Sequence, residues 1–142
     1  MLAWLREVGA PTLAGRMGIV FTEASAERVV ARMPVEGNTQ LQGMLHGGAS
    51  LVLAESLGSI GAALHAGRHR IAVGVDINAT HHRAVRRGWV TGVATPLYLG
   101  QDLVTYEVIV TDESDARVCS ARITCAIHGS GRRRRSPVRP VS

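Results

Sequence analysis

The pattern of apolar and polar positions changes period along the chain. Residues 1–9 carry Leu2, Trp4, Leu5 and Val8, the spacing of a short amphipathic helix. Residues 18–33 alternate loosely and are rich in Val, Ile and Phe, which predicts a strand interrupted by a turn near Ser25. Residues 34–45 hold Pro34, Gly37, Asn38 and Gly43 and read as loop. From Gly47 to about Ala66 the chain is apolar almost all round, and it is closed by Gly67 with Arg68 and Arg70 behind it; this predicts one long buried helix. Four strand-like runs follow. Ile71, Val73, Val75 and Ile77 alternate with small or polar residues, residues 90–97 follow a turn at Arg87-Gly88, and Val104, Tyr106, Val108 and Val110 alternate with Thr105 and Glu107. Cys119, Ala121, Ile123, Cys125 and Ile127 form the last run, reached through a polar hairpin connection at 112–117.

One apolar helix among strands joined by short links poses a burial problem. The economical solution is an α+β fold in which a curved antiparallel sheet wraps around the central helix. The side of the helix carrying Gly58, Ser59, Gly61 and Ala62 would then need a partner subunit. Residues 47–64 approach the length of a membrane span, but Glu55 stands at their centre, where a lipid-facing carboxylate is costly; the expectation is burial in protein, with no membrane partner.

Composition locates the charge. The chain has 142 residues, 46% of them hydrophobic and 19% charged, enough for one domain with a core. All 16 basic residues are arginine, and Arg132–Arg135 and Arg139 follow Gly129, where there is no acid. Residues 1–129 are thus formally neutral, and the net charge of +5 belongs to a basic tail, residues 130–142, expected to be disordered. A neutral body with 4% aromatic residues argues against a nucleic-acid partner. The tail reads as a solvated charge run, with attraction of CoA phosphates or other polyanions as the weaker alternative. Cys119 and Cys125 lie about 20 Å apart on one predicted strand, beyond disulfide reach, and read as small core residues. The N-terminus lacks the basic-then-apolar pattern of a leader, so a reducing cytoplasm is the expected compartment. His65 and His69 are separated by the break at Gly67, and neighbours His81 and His82 point to opposite faces of a strand; neither pair makes a ready metal site, and no metal or cofactor is expected.

Two features carry chemistry. Between Gly37 and Gly67, Glu55 is the only Asp, Glu, Lys or Arg. Either it points to solvent, or it is a reactive carboxylate tuned by its surroundings, with Ser59 one turn on to hold a water or the carboxylate itself. His46-Gly47-Gly48 opens the helix with two residues lacking side chains; the glycines serve either close packing or the exposure of free N–H groups to an anion or developing oxyanion. Gly47 and Glu55 lie about 12 Å apart along a helix axis, too far to act on one carbonyl within one chain. Two antiparallel copies across a two-fold axis would bring Gly47 of one beside Glu55 of the other, which predicts an obligate dimer with two composite sites.

The runs Asn38-Thr39-Gln40, Leu45-His46-Gly47-Gly48-Ala49-Ser50 and Leu53-Ala54-Glu55-Ser56-Leu57-Gly58-Ser59, with Asn78-Ala79-Thr80-His81-His82-Arg83 and Pro96-Leu97-Tyr98-Leu99-Gly100, resemble the hotdog-fold acyl-CoA thioesterases over roughly residues 13–128. The pattern is most similar to the branch with a catalytic Glu on the central helix. That branch includes the 4-hydroxybenzoyl-CoA, phenylacetate-pathway and 1,4-dihydroxy-2-naphthoyl-CoA thioesterases and the proofreading thioesterase of enterobactin synthesis. The resemblance implies a dimeric site, commonly within a tetramer of two dimers. It makes Glu55 the nucleophile or general base and the Gly47 N–H, beside Gly48, the donor to the thioester carbonyl. Gln40 matches a side-chain amide at the thioester oxygen, His46 a residue that orients the site, and Ser59 and His81 polar residues near the attacking water and the acyl group. Leu41 and Ile60 would touch the acyl pocket; many relatives have Pro-Phe where this chain has Leu41-Gln42, which leaves the acyl group open. Arg83, Arg86 and Arg87 lie at a strand end and turn, where they either meet the nucleotide phosphates of CoA or form an exposed turn, and His82 is assigned with them to substrate or CoA binding.

The reading is an acyl-CoA thioesterase acting on an aromatic acyl group. A carboxylate and an oxyanion hole suffice, because a thiolate of pKa about 8.5 leaves without strong acid help. The alternative is a non-catalytic module that binds acyl-CoA or an acyl-carrier protein, and a hotdog dehydratase or hydratase is a further one. Binding alone needs no carboxylate aimed at the carbonyl, and a Glu in mid-helix after His-Gly-Gly favours the thioesterase.

Overall fold

A computed structural model describes residues 1–129; the basic tail at 130–142, with its five arginines, lies outside the described residues. The elements are α1 (Leu2–Gly9), α2 (Leu13–Arg16), β1 (Val20–Ala24), β2 (Val29–Pro34), α3 (Gly47–Ala66), β3 (Arg70–His81), β4 (Trp89–Leu99), β5 (Leu103–Thr111) and β6 (Arg117–Gly129). The short helix α2, capped by Thr12, has no counterpart in the apolar pattern: four residues are too few to show a period.

The six strands form one antiparallel sheet in the order β1-β2-β4-β5-β6-β3. Bulges at Phe21/Glu23, Gly74/Asp76 and Pro96/Tyr98 bend it around α3, as expected of a sheet wrapped on a helix. The helix is long and apolar enough to cross a membrane by length and composition, yet it packs against β2, β3, β4, β5 and β6. Leu53 and Leu57 are fully buried there, each contributing about 1.5–3 kcal/mol. Cys119 and Cys125 are free thiols buried in the same core.

The small residues of α3 serve a different contact from the one expected. Gly58, Gly61 and Ala62 face the protomer's own sheet instead of a partner. A Cβ at Gly58 would overlap Ile123, and one at Gly61 would come within 2.7 Å of Tyr106 Cζ. Across the interface, a Cβ at Gly92 of β4 would meet Leu57 Cδ1 at 2.5 Å. Helix and sheet therefore approach at van der Waals distance because glycine stands at their crossing points. Of the four residues anticipated on the free side, only Ser59 remains partly open.

Strand β3 also departs from its pattern. The bulge splits its apolar run between two faces: Ile71, Val73 and Val75 are 58%, 46% and 60% exposed on the outer face, while Ala72, Ile77 and Ala79 pack toward the core. β3 ends the sheet, so one of its edges has no neighbouring strand within the protomer.

Tyr106 sits under Gly61, fully buried, and its Oη donates to the Ala26 carbonyl at 2.6 Å, tying β5 to the β1–β2 turn. Burial, with the nearby Glu27 and Cys125 charges adding to it, pushes its hydroxyl up from 10.0 to about 12. The folded protein thus holds this proton more tightly than the unfolded chain does. Stability from this source is complete below about pH 10 and is lost as pH rises toward 12. Chemical denaturation across that window is expected to show the loss, with a shallower slope in Tyr106→Phe and a stability lower by about 1 kcal/mol at neutral pH.

Candidate active site

The loop before α3 is built to present the helix start. Asn38 Nδ2 donates to the carbonyls of Met17 and Pro34, both at 2.8 Å, and the Asn38 carbonyl accepts from His46 N–H at 2.9 Å. Between them residues 39–45 form a small hairpin closed by a Thr39–Leu45 bridge, with Gly43 at φ 79 in its turn. Leu41 stands fully exposed at its tip. Gln40 lies at the base: its Oε1 accepts from the Gln42 N–H, which leaves the amide NH2 as the group free to donate among the described residues.

His46 is the helix N-cap. Its Nδ1 accepts from Gly48 N–H at 2.8 Å, and its carbonyl takes the N–H groups of Ala49 and Ser50. The Gly48 donor is therefore spent on the cap, and Gly47 N–H is the one at the helix start with no acceptor among the described residues. The His81 ring covers Gly47 so closely that an added Cβ would lie 2.9 Å from Nε2. Gly47, Gln40, His81, His82 and Arg83 line one cleft of about 370 Å³, with Ser50 at its floor.

The basic residues around this cleft are engaged. His82 Nε2 meets Ser120 Oγ at 2.9 Å. Arg83 pairs with Asp112 at 3.2 Å. Asp112 also accepts from Ser114 Oγ and from the Ser114 and Ala116 N–H groups, which tie up the β5–β6 hairpin. The Ser114 hydroxyl first, then the two backbone donors and Arg83, hold its carboxyl below the usual range. Arg86 donates to the Gln42 carbonyl at 3.1 Å and so braces the 39–45 hairpin.

Glu55, Ser59, Ile60 and Leu41 are not part of this cleft. Glu55 is exposed in the protomer, on the side of α3 toward β3. Its carboxylate rests against the strand at Gly74, where an added Cβ would lie 2.9 Å from Oε1. Sequence reasoning missed Gly74; the signal available was a lone glycine inside an otherwise β-branched strand, which marks a bulge or a close approach. Below the carboxylate lies Cys125, whose thiol is pushed up by burial, pulled back by the Ser59 hydroxyl and raised again by the Glu55 charge. Ser59 thus borders Cys125, while Ile60 faces α1 across a separate groove. Among the described residues no group of three His, Cys, Asp or Glu is arranged to hold a metal ion. His65 Nε2 donates to the Gly100 carbonyl at 2.8 Å.

The arrangement offers two halves of an acyl-transfer site: a free N–H at a helix start beside an amide donor, and a carboxylate two turns further along. Comparison with known proteins bears on what such halves do. The thioesterase superfamily model matches residues 42–119. The proofreading thioesterase EntH of Klebsiella pneumoniae is 39% identical over 137 residues, covering 90% of this chain and 100% of that protein. Among solved structures, thioesterase HI1161 of Haemophilus influenzae superposes with a TM-score of 0.90 at 32% identity, with 94% of each chain covered. A variant of thioesterase PA1618 of Pseudomonas aeruginosa gives 0.86 at 34% identity, covering 91% of this chain and 94% of that one. The sheet wrapped on α3 is the hotdog fold, and the chain belongs to the thioesterase superfamily as a thioester hydrolase.

Proposed function

We propose that the protein hydrolyses an aromatic acyl-CoA to the free acid and CoA, at sites shared between two antiparallel subunits. The observation that carries this reading is the separation of the two half-sites. Glu55, the single charge of α3, is exposed beside the open edge of β3, and the unspent Gly47 donor lies eight residues away, about 12 Å along the axis. A second copy across that edge supplies Gly47 to Glu55 and takes Glu55 to its own Gly47. The exposed Ile71, Val73 and Val75 on β3 add apolar surface suited to further association, in line with a tetramer of two dimers.

In this site the partner's Gly47 N–H holds the thioester oxygen as negative charge develops, with the Gln40 amide beside it. Glu55 either attacks the carbonyl carbon, expelling the CoA thiolate and leaving an anhydride that water then opens, or removes a proton from the water that attacks. The thiolate needs no acid in either route. The aromatic preference rests on the resemblance to relatives with a carboxylate on the central helix, and a cytoplasmic location agrees with CoA as the carrier.

Thiol release from a panel of aromatic and aliphatic acyl-CoAs tests the reading. Glu55→Gln is expected to lower kcat by about two orders of magnitude or more with assembly unchanged. Full activity in that variant would show that the carboxylate is not the reacting group. A second outcome follows from the seat of the carboxylate: Gly74→Val is expected to displace Glu55 and lower kcat by about ten- to a hundredfold while the melting temperature moves little, since a flexible side-chain end gives way.

A further inference from the structure

Helix α1 carries more apolar surface than the core takes up. Leu5 is buried and Leu2 packs partly on the core, but Trp4 and Val8 are 58% and 42% exposed. These two stand four residues apart, so they form one stripe, and the stripe faces α3. Between the helices runs an apolar groove of about 300 Å³ bounded by Trp4, Val8, Phe21, Ser56, Ser59 and Ile60. On the other side of the Trp4 ring a second cleft, of about 710 Å³, continues past Ala63 and Leu64 to Gly67 and Arg68. Trp4 borders both spaces and is the residue that divides them.

We propose that Trp4 is the end wall of the acyl-binding groove and sets the size of acyl group that the enzyme accepts. The proposal rests on the reading of Glu55 as the group at the reacting carbonyl. From Glu55 it is one helical turn, about 6 Å, to Ser59, and the groove opens there. An acyl group leaving the carbonyl along α3 passes Ser59, lies on Ile60 with Val8 and Phe21 opposite, and stops at the indole. The groove is at the small end of ligand clefts, about 300–1,000 Å³, which fits a ring or a short chain and leaves the larger space beyond Trp4 closed to it. A large, half-exposed aromatic on a groove next to a reactive group is the kind of surface a ligand covers.

The test compares kcat/KM for acetyl-, benzoyl-, phenylacetyl-, hexanoyl- and dodecanoyl-CoA in the wild type, Trp4→Ala and Val8→Trp. Binding of S-dodecyl-CoA, a thioether that cannot be hydrolysed, is measured in parallel by titration calorimetry on the wild type and each variant, and tryptophan fluorescence of a Trp89→Phe variant, where Trp4 is the sole tryptophan, reports on the indole itself. Trp4→Ala is expected to raise the dodecanoyl-to-benzoyl ratio at least tenfold, and Val8→Trp to lower benzoyl relative to acetyl by a similar factor. An unchanged profile in an active, correctly assembled Trp4→Ala overturns the proposal. So does a Trp4→Ala protein that falls apart into monomers, which would assign the indole to a subunit contact. Failure of the Glu55 reading looks different: the thioether perturbs Trp4 and binds more tightly to Trp4→Ala, yet no thioester in the panel is cleaved. Neither binding nor cleavage overturns both.

Discussion

A helix of twenty residues with one charge among them has to be covered, and the way α3 is covered governs everything else in the molecule. The sheet bends around it through its bulges, and glycines at the crossing points let Ile123, Tyr106 and Leu57 seat directly against the backbone of the opposite surface. That close seating fixes the rotation of the helix. With Ala54, Leu57, Gly58 and Gly61 held against the sheet, Glu55 has to emerge toward β3 and Ile60 toward α1. Core packing thus sets the directions in which Glu55 and Ile60 leave the helix.

The same seating separates the reactive groups. A rigid helix keeps its start and its carboxylate two turns apart, and the cap spends one of the two glycine donors on His46. A protomer alone holds a donor cleft without a carboxylate and a carboxylate without a donor. Thioester hydrolysis is the chemistry of the superfamily, and in the proposed reading a second copy beside the open edge of β3 brings both groups to one carbonyl with no change in either chain.

Much of this was legible in the residues. The bounds of α3 follow from the His-Gly-Gly start and the Gly67 stop, which the structure places at φ 81, and the isolation of Glu55 among apolar neighbours marks it without any coordinates. What was not legible concerns direction. Period alone does not say which face of β3 a bulge will turn outward, so the even alternation of Ile71, Val73, Val75 and Ile77 does not show that the first three face out and the last faces in. Nor does small size say whether Gly58 and Gly61 admit a partner helix or the protein's own sheet; only the positions of Ile123 and Tyr106 decide it. Arg83 and Arg86 likewise read as free cations until Asp112 and the Gln42 carbonyl appear beside them.

The central claim, that each site takes its carboxylate from one subunit and its amide donor from the other, is tested most directly by complementation. Glu55→Gln and Gln40→Ala chains, each inactive or nearly so alone, are unfolded together, refolded and assayed with acyl-CoA. The shared-site account predicts recovery to about a quarter of wild-type turnover, because half the dimers are mixed and each mixed dimer holds one intact site. Activity no greater than the average of the two parents, in a sample shown to contain mixed dimers, would contradict it.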